Sequence, residues 1–322
     1  MDSVSSSVQQ GGGSKDIWHR SRSRSLVHLA YATTLAMTLT LVLVPRTRAG
    51  DEVCPFGSGV PPQLDLVIDG EVDKMVLWEV CLTSTYAETT LQGFGLTLPA
   101  TTMYVVDSTK QAQRRMPAPP GRQWGLDLRG AERDGRVVLL ATRSAGTTPI
   151  HELIHVLQEP MSEAQWLSEG AATYLEKRYL TEEEGRYDFT SDLSRWDAVI
   201  GDVKLQDLAT QRGLNSFRGS QSYTLAWVAF HLILSESEVG LDVYFNCFIP
   251  QKKIVNWKTA FSRCFGLKVS DVYVLMDEYR ATGLTELPSQ RRERELLEFR
   301  QRVEACLVKA EKAGVVVIRA MC

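Results

Sequence analysis

The chain has 322 residues, 44% hydrophobic and 23% charged, and its 36 basic and 39 acidic side chains leave a net charge of -3. That length supplies about two domains, or one large two-part domain, with ample material for a core, and so excludes a disulfide mini-protein; the composition excludes disordered, collagenous and many-span membrane chains. A chain with no excess of positive charge lacks the field that nucleic acid requires, so no nucleic-acid partner is expected and the function must lie in a local site.

Residues 1–24 are rich in Ser, Gly and Gln, carry Lys15, Arg20, Arg22 and Arg24, and show no apolar period, as expected of a disordered basic tail. Leu26 to Val44 is an uncharged apolar run flanked by Arg46 and Arg48. As a helix it would span about 28 Å, close to the roughly 30 Å of a bilayer core. Segment 25–45 therefore reads either as a transmembrane signal anchor or as a signal peptide cut near Ala49 and Gly50, with a buried core helix as the bland rival. Either of the first two leaves the basic end in the cytoplasm and sends the body out, secreted or held to the membrane through residues 26–44. All six cysteines lie beyond this segment, as oxidation outside the cytoplasm requires. The pairs Cys54–Cys81, Cys247–Cys264 and Cys306–Cys322 are the local choices among the many connectivities six cysteines allow. No CxxC is present, so neither a ribbon-type zinc site nor a thioredoxin-type redox site is indicated.

Residues 46–62 read as a linker, Gly- and Pro-rich around Gly57 to Pro62, and residues 63–285 as one domain. Leu64 to Ile68 reads as a strand, Val72 to Gln92 as a helix closed by Gly93 and Gly95, and Thr102 to Val106 and Arg136 to Ala141 as strands on either side of a Pro-rich loop, Met116 to Gly121. Gly146 to Pro149 forms a helix entry with Thr148 as N-cap and Pro149 at the first helical position. Helices are expected near Glu163–Tyr179, Tyr223–Ser235, Leu241–Phe248, Trp257–Phe265 and Val269–Arg280. Residues 286–322 are expected to form a C-terminal helix and tail: a charged helix, Ser289–Lys312, turns Leu296, Leu297, Val303, Cys306, Leu307 and Ala310 toward a partner, with a last strand at Val315–Ile318. No internal repeat, P-loop, GxGxxG after a strand or nucleophile elbow occurs.

His151-Glu152-Leu153-Ile154-His155 is an HExxH pattern. On a helix, a spacing of four puts both imidazoles on one face, one turn apart, able to grip one ion, while Glu152 sits beside the ion in the position of a base for its water. The rival explanation is a buried helix with incidental histidines. A catalytic zinc takes three protein ligands, and Glu169 supplies the third from Trp166-Leu167-Ser168-Glu169-Gly170-Ala171-Ala172-Thr173-Tyr174, whose small residues let this helix approach the histidine helix closely.

In these two segments the chain resembles the gluzincin metallopeptidases, in particular the peptidase MA-like group with HExxH followed by WLxEGxAxY. The resemblance covers about residues 64 to 280 and implies His151, His155 and Glu169 as ligands of one Zn2+ per chain, with Glu152 as general base. It implies an α+β, thermolysin-like two-lobed fold, a mixed-sheet lobe followed by a helical lobe with zinc between them, in which an edge strand borders the cleft. The activity implied is hydrolysis of peptide bonds in a peptide or protein substrate outside the cytoplasm; a catalytically inactive peptidase-like binding or structural module is the alternative. Tyr223 matches the place where relatives present a tyrosine to the oxyanion, against a plain core role, and His231 is the other candidate for that donor. Two features depart from the family: Pro149 starts the helix just before His151, and no Asp follows Glu169 where some relatives brace a histidine. Glu176, on the same helical face as Glu169, is either a support for the site or a solvated side chain.

Overall fold

The computed structural model describes residue 54 and residues 60–125, 128–141, 144–158, 164–182 and 193–312, all within one unit of the chain, Thr47–Cys322. The basic tail, the signal segment, most of the linker, the Cys306–Cys322 pair and the strand at 315–318 lie outside the described residues. Among the described residues, no helix is long and apolar enough to cross a membrane.

The first part of the body is a four-stranded mixed sheet with helices on both faces. Strand β1 (Leu64–Asp69) leads through helix α1 (Lys74–Gly93) to a parallel partner, β2 (Thr101–Val106). Asp73 caps α1 by accepting the amide of Met75. Helix α2 (Thr109–Arg115) follows, then β3 (Gly130–Arg133) and β4 (Arg136–Leu140), joined by a tight turn in which Asp134 and Gly135 both have positive φ, the geometry that favours an Asp-Gly hairpin. The strand order is β1-β2-β4-β3, with β4 parallel to β2 and β3 antiparallel at the edge.

Alternation along β4 explains why Val137 to Leu140 are apolar without a break. Val137 and Leu139 join the main core, while Val138 and Leu140 face a second cluster with Ala112, Met116 and Trp124. That second cluster underlies the loop between α2 and β3.

The rest is helical: α3 (Thr148–Leu157), α4 (Gln165–Glu182), α5 (Ser194–Ile200), α6 (Gln211–Asn215), α7 (Gly219–Glu236), α8 (Leu241–Val243), α9 (Ile249–Gln251), α10 (Trp257–Phe265), α11 (Val269–Ala281) and α12 (Pro288–Lys312). A π-turn, Tyr244–Phe248, separates α8 from α9, so the helix expected at Leu241–Phe248 is not a regular one. Helix α7 is buried nearly all round, from Ser222 to Leu234, and runs through the centre of this part. Disulfides Cys54–Cys81 and Cys247–Cys264 form as expected.

Three local expectations are corrected. Thr147, not Thr148, caps α3, and its hydroxyl makes no capping bond because it is committed to Glu176. Gly170 serves a close approach to α7 rather than to the histidine helix: a Cβ there would lie 2.4 Å from the carbonyl oxygen of Ala226. On α12, Leu296 and Leu297 are exposed rather than packed, whereas Val303 is buried.

Candidate metal centre

The site is assembled on the entry of α3. The carboxylate of Glu79, from α1, accepts the hydroxyl of Ser144 at 2.7 Å and the amides of Ala145 and Gly146 at 2.9 and 3.2 Å, fixing the loop that feeds the helix. Ile150, Leu153 and Ile154 then point into the core and leave His151 and His155 facing α4. Trp166 and Leu167, fully buried, seat the first turn of α4, so that Glu169 meets both imidazoles.

His151 Nε2 and His155 Nε2 are 3.0 Å apart, and one oxygen of Glu169 lies 3.0 Å from the first and 3.3 Å from the second. The far nitrogens settle the tautomers. His151 Nδ1 faces Glu176 Oε2 at 3.2 Å, and an ionised carboxylate only accepts, so that nitrogen carries the proton. His155 Nδ1 faces Gln158 Oε1 at 2.8 Å. The Gln158 amide is oriented by its other end, which donates to the Ser168 carbonyl at 3.2 Å and to the Tyr244 hydroxyl at 2.8 Å. Its oxygen also accepts the Ser168 hydroxyl.

With each Nδ1 turned to an acceptor, the two Nε2 atoms and the Glu169 oxygen converge on one point, where an Nε2 proton meets Glu169 in the metal-free site and an ion can take its place. A proton or a metal ion satisfies such a cluster, and two imidazoles with one carboxylate are the donor set of a catalytic zinc. His151, His155 and Glu169 can thus hold a metal ion. In the metal-free site burial opposes charge on His151, yet Glu176 and Glu169 hold it well above its ordinary value, so an ion binding there displaces a proton. Burial likewise opposes ionisation of Glu169, but the pull of His155 and His151 outweighs it and keeps that carboxyl well below its usual range.

Glu152 is a carboxyl of the other kind. Burial pushes it up to about 7, against the lowering effect of His151 and His155. It lies against edge strand β3, where a Cβ on Gly130 would come within 2.7 Å of Glu152 Oε1. The strand can approach α3 only because that position is glycine.

A cleft of about 250 Å3 opens over these groups, walled by Gly130, Ala131 and Glu132 of β3 on one side and by Arg122, Gln211 and Tyr223 among the others. Tyr223 lies in the second turn of α7 rather than opening it, its ring edge-on to His151 with centroids 5.8 Å apart. Burial raises its phenol above the ordinary value, and Arg122 acts in the opposite sense. His231 does not line the cleft: its ring stacks on Tyr174 at 6.4 Å and burial pushes it down to about 4. Of the two readings of Glu176, support for the site fits, since it also accepts the Thr147 hydroxyl at 2.8 Å.

Sequence reasoning missed Glu79, Arg122 and Gln158. Gln158 carried a faint signal, three residues past His155 at the end of the helix; Glu79 and Arg122 carried none, because both reach the site from separate elements. No protein-family model matches the chain, and the comparison with curated proteins found no match.

Proposed function

We propose that the protein is a zinc-dependent peptidase of the gluzincin type, with a thermolysin-like arrangement of a sheet lobe and a helical lobe around the metal. The observation that carries this reading is the pair of imidazoles whose Nδ1 protons are engaged and whose Nε2 atoms converge on Glu169, with the carboxyl of Glu152 beside them. When bound, zinc supplies Lewis acidity, polarising a peptide carbonyl and lowering the pKa of a water. Glu152 would accept the proton of the attacking water and pass it to the leaving amine; burial raises its carboxyl in the metal-free site, so it holds a proton more readily than an exposed glutamate does. Tyr223 donates to the substrate oxygen as it becomes negative. Glu176 and Gln158 keep the two imidazoles in the ligating tautomer. The substrate is a peptide or protein segment laid in the cleft beside β3, and the disulfides fit a body that works in an oxidising, extracytoplasmic space.

Elemental analysis of the purified body together with cleavage of a peptide library tests the proposal. About one zinc per chain and cleavage that stops on chelation are expected. Metal-free yet folded wild-type protein refutes the zinc site, and zinc without cleavage favours the inactive binding module.

A further inference from the structure

Arg122 reaches the cleft from the loop between α2 and β3, and the second core holds that loop in place. Buried Trp124 donates its indole N–H to the Met116 carbonyl at 2.9 Å, and the Arg122 amide closes a turn onto the Pro119 carbonyl at 3.1 Å. From there Arg122 Nη1 lies 3.3 Å from the Tyr223 hydroxyl. A guanidinium has donors only and keeps its charge throughout the working range, so the direction of this bond is fixed: the phenol oxygen accepts. A phenol has a single proton, which prefers the plane of the ring. With one side of the oxygen engaged by Arg122, that proton turns to the other side. The ring plane is itself set by the edge-on contact with His151, and the residues sharing the cleft with Tyr223 include the acceptors Glu152 and Glu169.

We propose that Arg122 is a positioning residue: by donating to the oxygen of Tyr223 it aims the tyrosine's O–H into the cleft, where the substrate oxygen acquires charge. The inference rests on the peptidase function proposed above. Arg122 acts through Tyr223, so its removal matters only while the phenol is present. A mere salt link would stabilise the loop, and a substrate-binding cation would act on affinity; neither depends on the phenol.

The test compares the zinc-loaded wild type with Arg122→Ala, Arg122→Lys, Tyr223→Phe and the Arg122→Ala/Tyr223→Phe double variant. It reads kcat and KM on a library-selected peptide and, by calorimetry, the affinity for a phosphonamidate peptide whose tetrahedral oxygens imitate the charged one. Tyr223→Phe is expected to lower kcat about 10- to 1,000-fold. Arg122→Ala should lower it about tenfold with KM within about twofold, and Arg122→Lys, which keeps a donor, should recover part of the loss. The double variant should fall within about twofold of Tyr223→Phe alone, and the phosphonamidate affinities should follow the same pattern. Losses that multiply in the double variant, a rise in KM at unchanged kcat, or a loss of zinc and melting temperature in Arg122→Ala overturn the proposal. If the wild type binds zinc and the phosphonamidate but cleaves nothing, peptidase activity is refuted while the pattern of affinities still decides the role of Arg122. Absence of both cleavage and phosphonamidate binding refutes both.

Discussion

Glu152 and Glu169 are chemically identical and share the same two imidazoles, yet their environments push them in opposite directions. Glu169 gains a hydrogen bond from each ring and ionises readily, whereas Glu152 is buried without such bonds and is raised from 4.5 to about 7. A carboxyl that is harder to ionise in the folded state destabilises the fold once the unfolded chain loses its proton. In metal-free protein this cost begins near pH 4.5 and reaches about 3 kcal/mol above pH 7. Glu152→Gln stays neutral throughout, so the metal-free variant should exceed the wild type in stability by about that amount near pH 8 and match it near pH 4; urea unfolding at the two pH values measures this. Loaded with zinc, the same variant should keep its metal and lose about 10²- to 10⁴-fold in kcat, because an amide cannot take the proton. For the ligand supports, Glu176→Ala and Gln158→Ala should each weaken zinc binding by about 10- to 100-fold in competition with a chromogenic chelator, since each frees an Nδ1 and with it the ring orientation.

Between elements, the site was legible in the sequence wherever its logic is short-range. The four-residue spacing of His151 and His155 needs only a helix, and Glu169 needs only a second helix whose Trp166 and Leu167 face the core. The edge strand was not legible: Gly130-Ala131-Glu132-Arg133 has little strand propensity, and it is held by its pairing with β4, a tertiary fact. The Asp134-Gly135 turn was the available clue, as Ser108 followed by Gln111 was for α2, where the serine accepts the Gln111 amide as N-cap. The role of Glu176 depends on how α3 and α4 pack and could be stated only as an alternative. Gly130 shows what the edge strand does for the chemistry. A methyl group there meets Thr148 Cγ2 at 2.5 Å and Glu152 Oε1 at 2.7 Å, so either the strand withdraws or the carboxyl moves. Gly130→Ala should therefore lower kcat by about tenfold or more while zinc content stays at the wild-type level, the signature of a displaced base rather than a lost metal. Unchanged turnover would show that the strand gives way at no cost to the base.

Across the whole molecule, the two disulfides among the described residues lie one step from supports of the candidate metal site. Cys81 shares α1 with Glu79, whose carboxylate fixes the entry of the histidine helix. Cys247 sits in the π-turn that carries Tyr244 and is tied to Cys264 of α10. Oxidation outside the cytoplasm would thus secure the site as well as the fold, and protease shaving of intact cells should reach the body; protection, with full-length chain soluble in the cytoplasm, would contradict that placement. The second bridge allows a sharper test. Its 17-residue separation makes the bond worth about 3 kcal/mol by loop closure, and a conventional crosslink would do no more than that. Here Tyr244 also accepts the Gln158 amide at 2.8 Å, and Gln158 in turn holds His155. A π-turn is a strained form of helix that needs its surroundings to persist. The Cys247→Ser/Cys264→Ser double variant is therefore expected to lose about 3 kcal/mol in urea unfolding and also to bind zinc several-fold more weakly under conditions where it remains fully folded. Introducing Gln158→Ala into the same variant should then add less than its full effect, because both changes release the same imidazole. Lower stability with wild-type zinc affinity would show that the bridge holds the helices alone and that Tyr244 keeps its place without it.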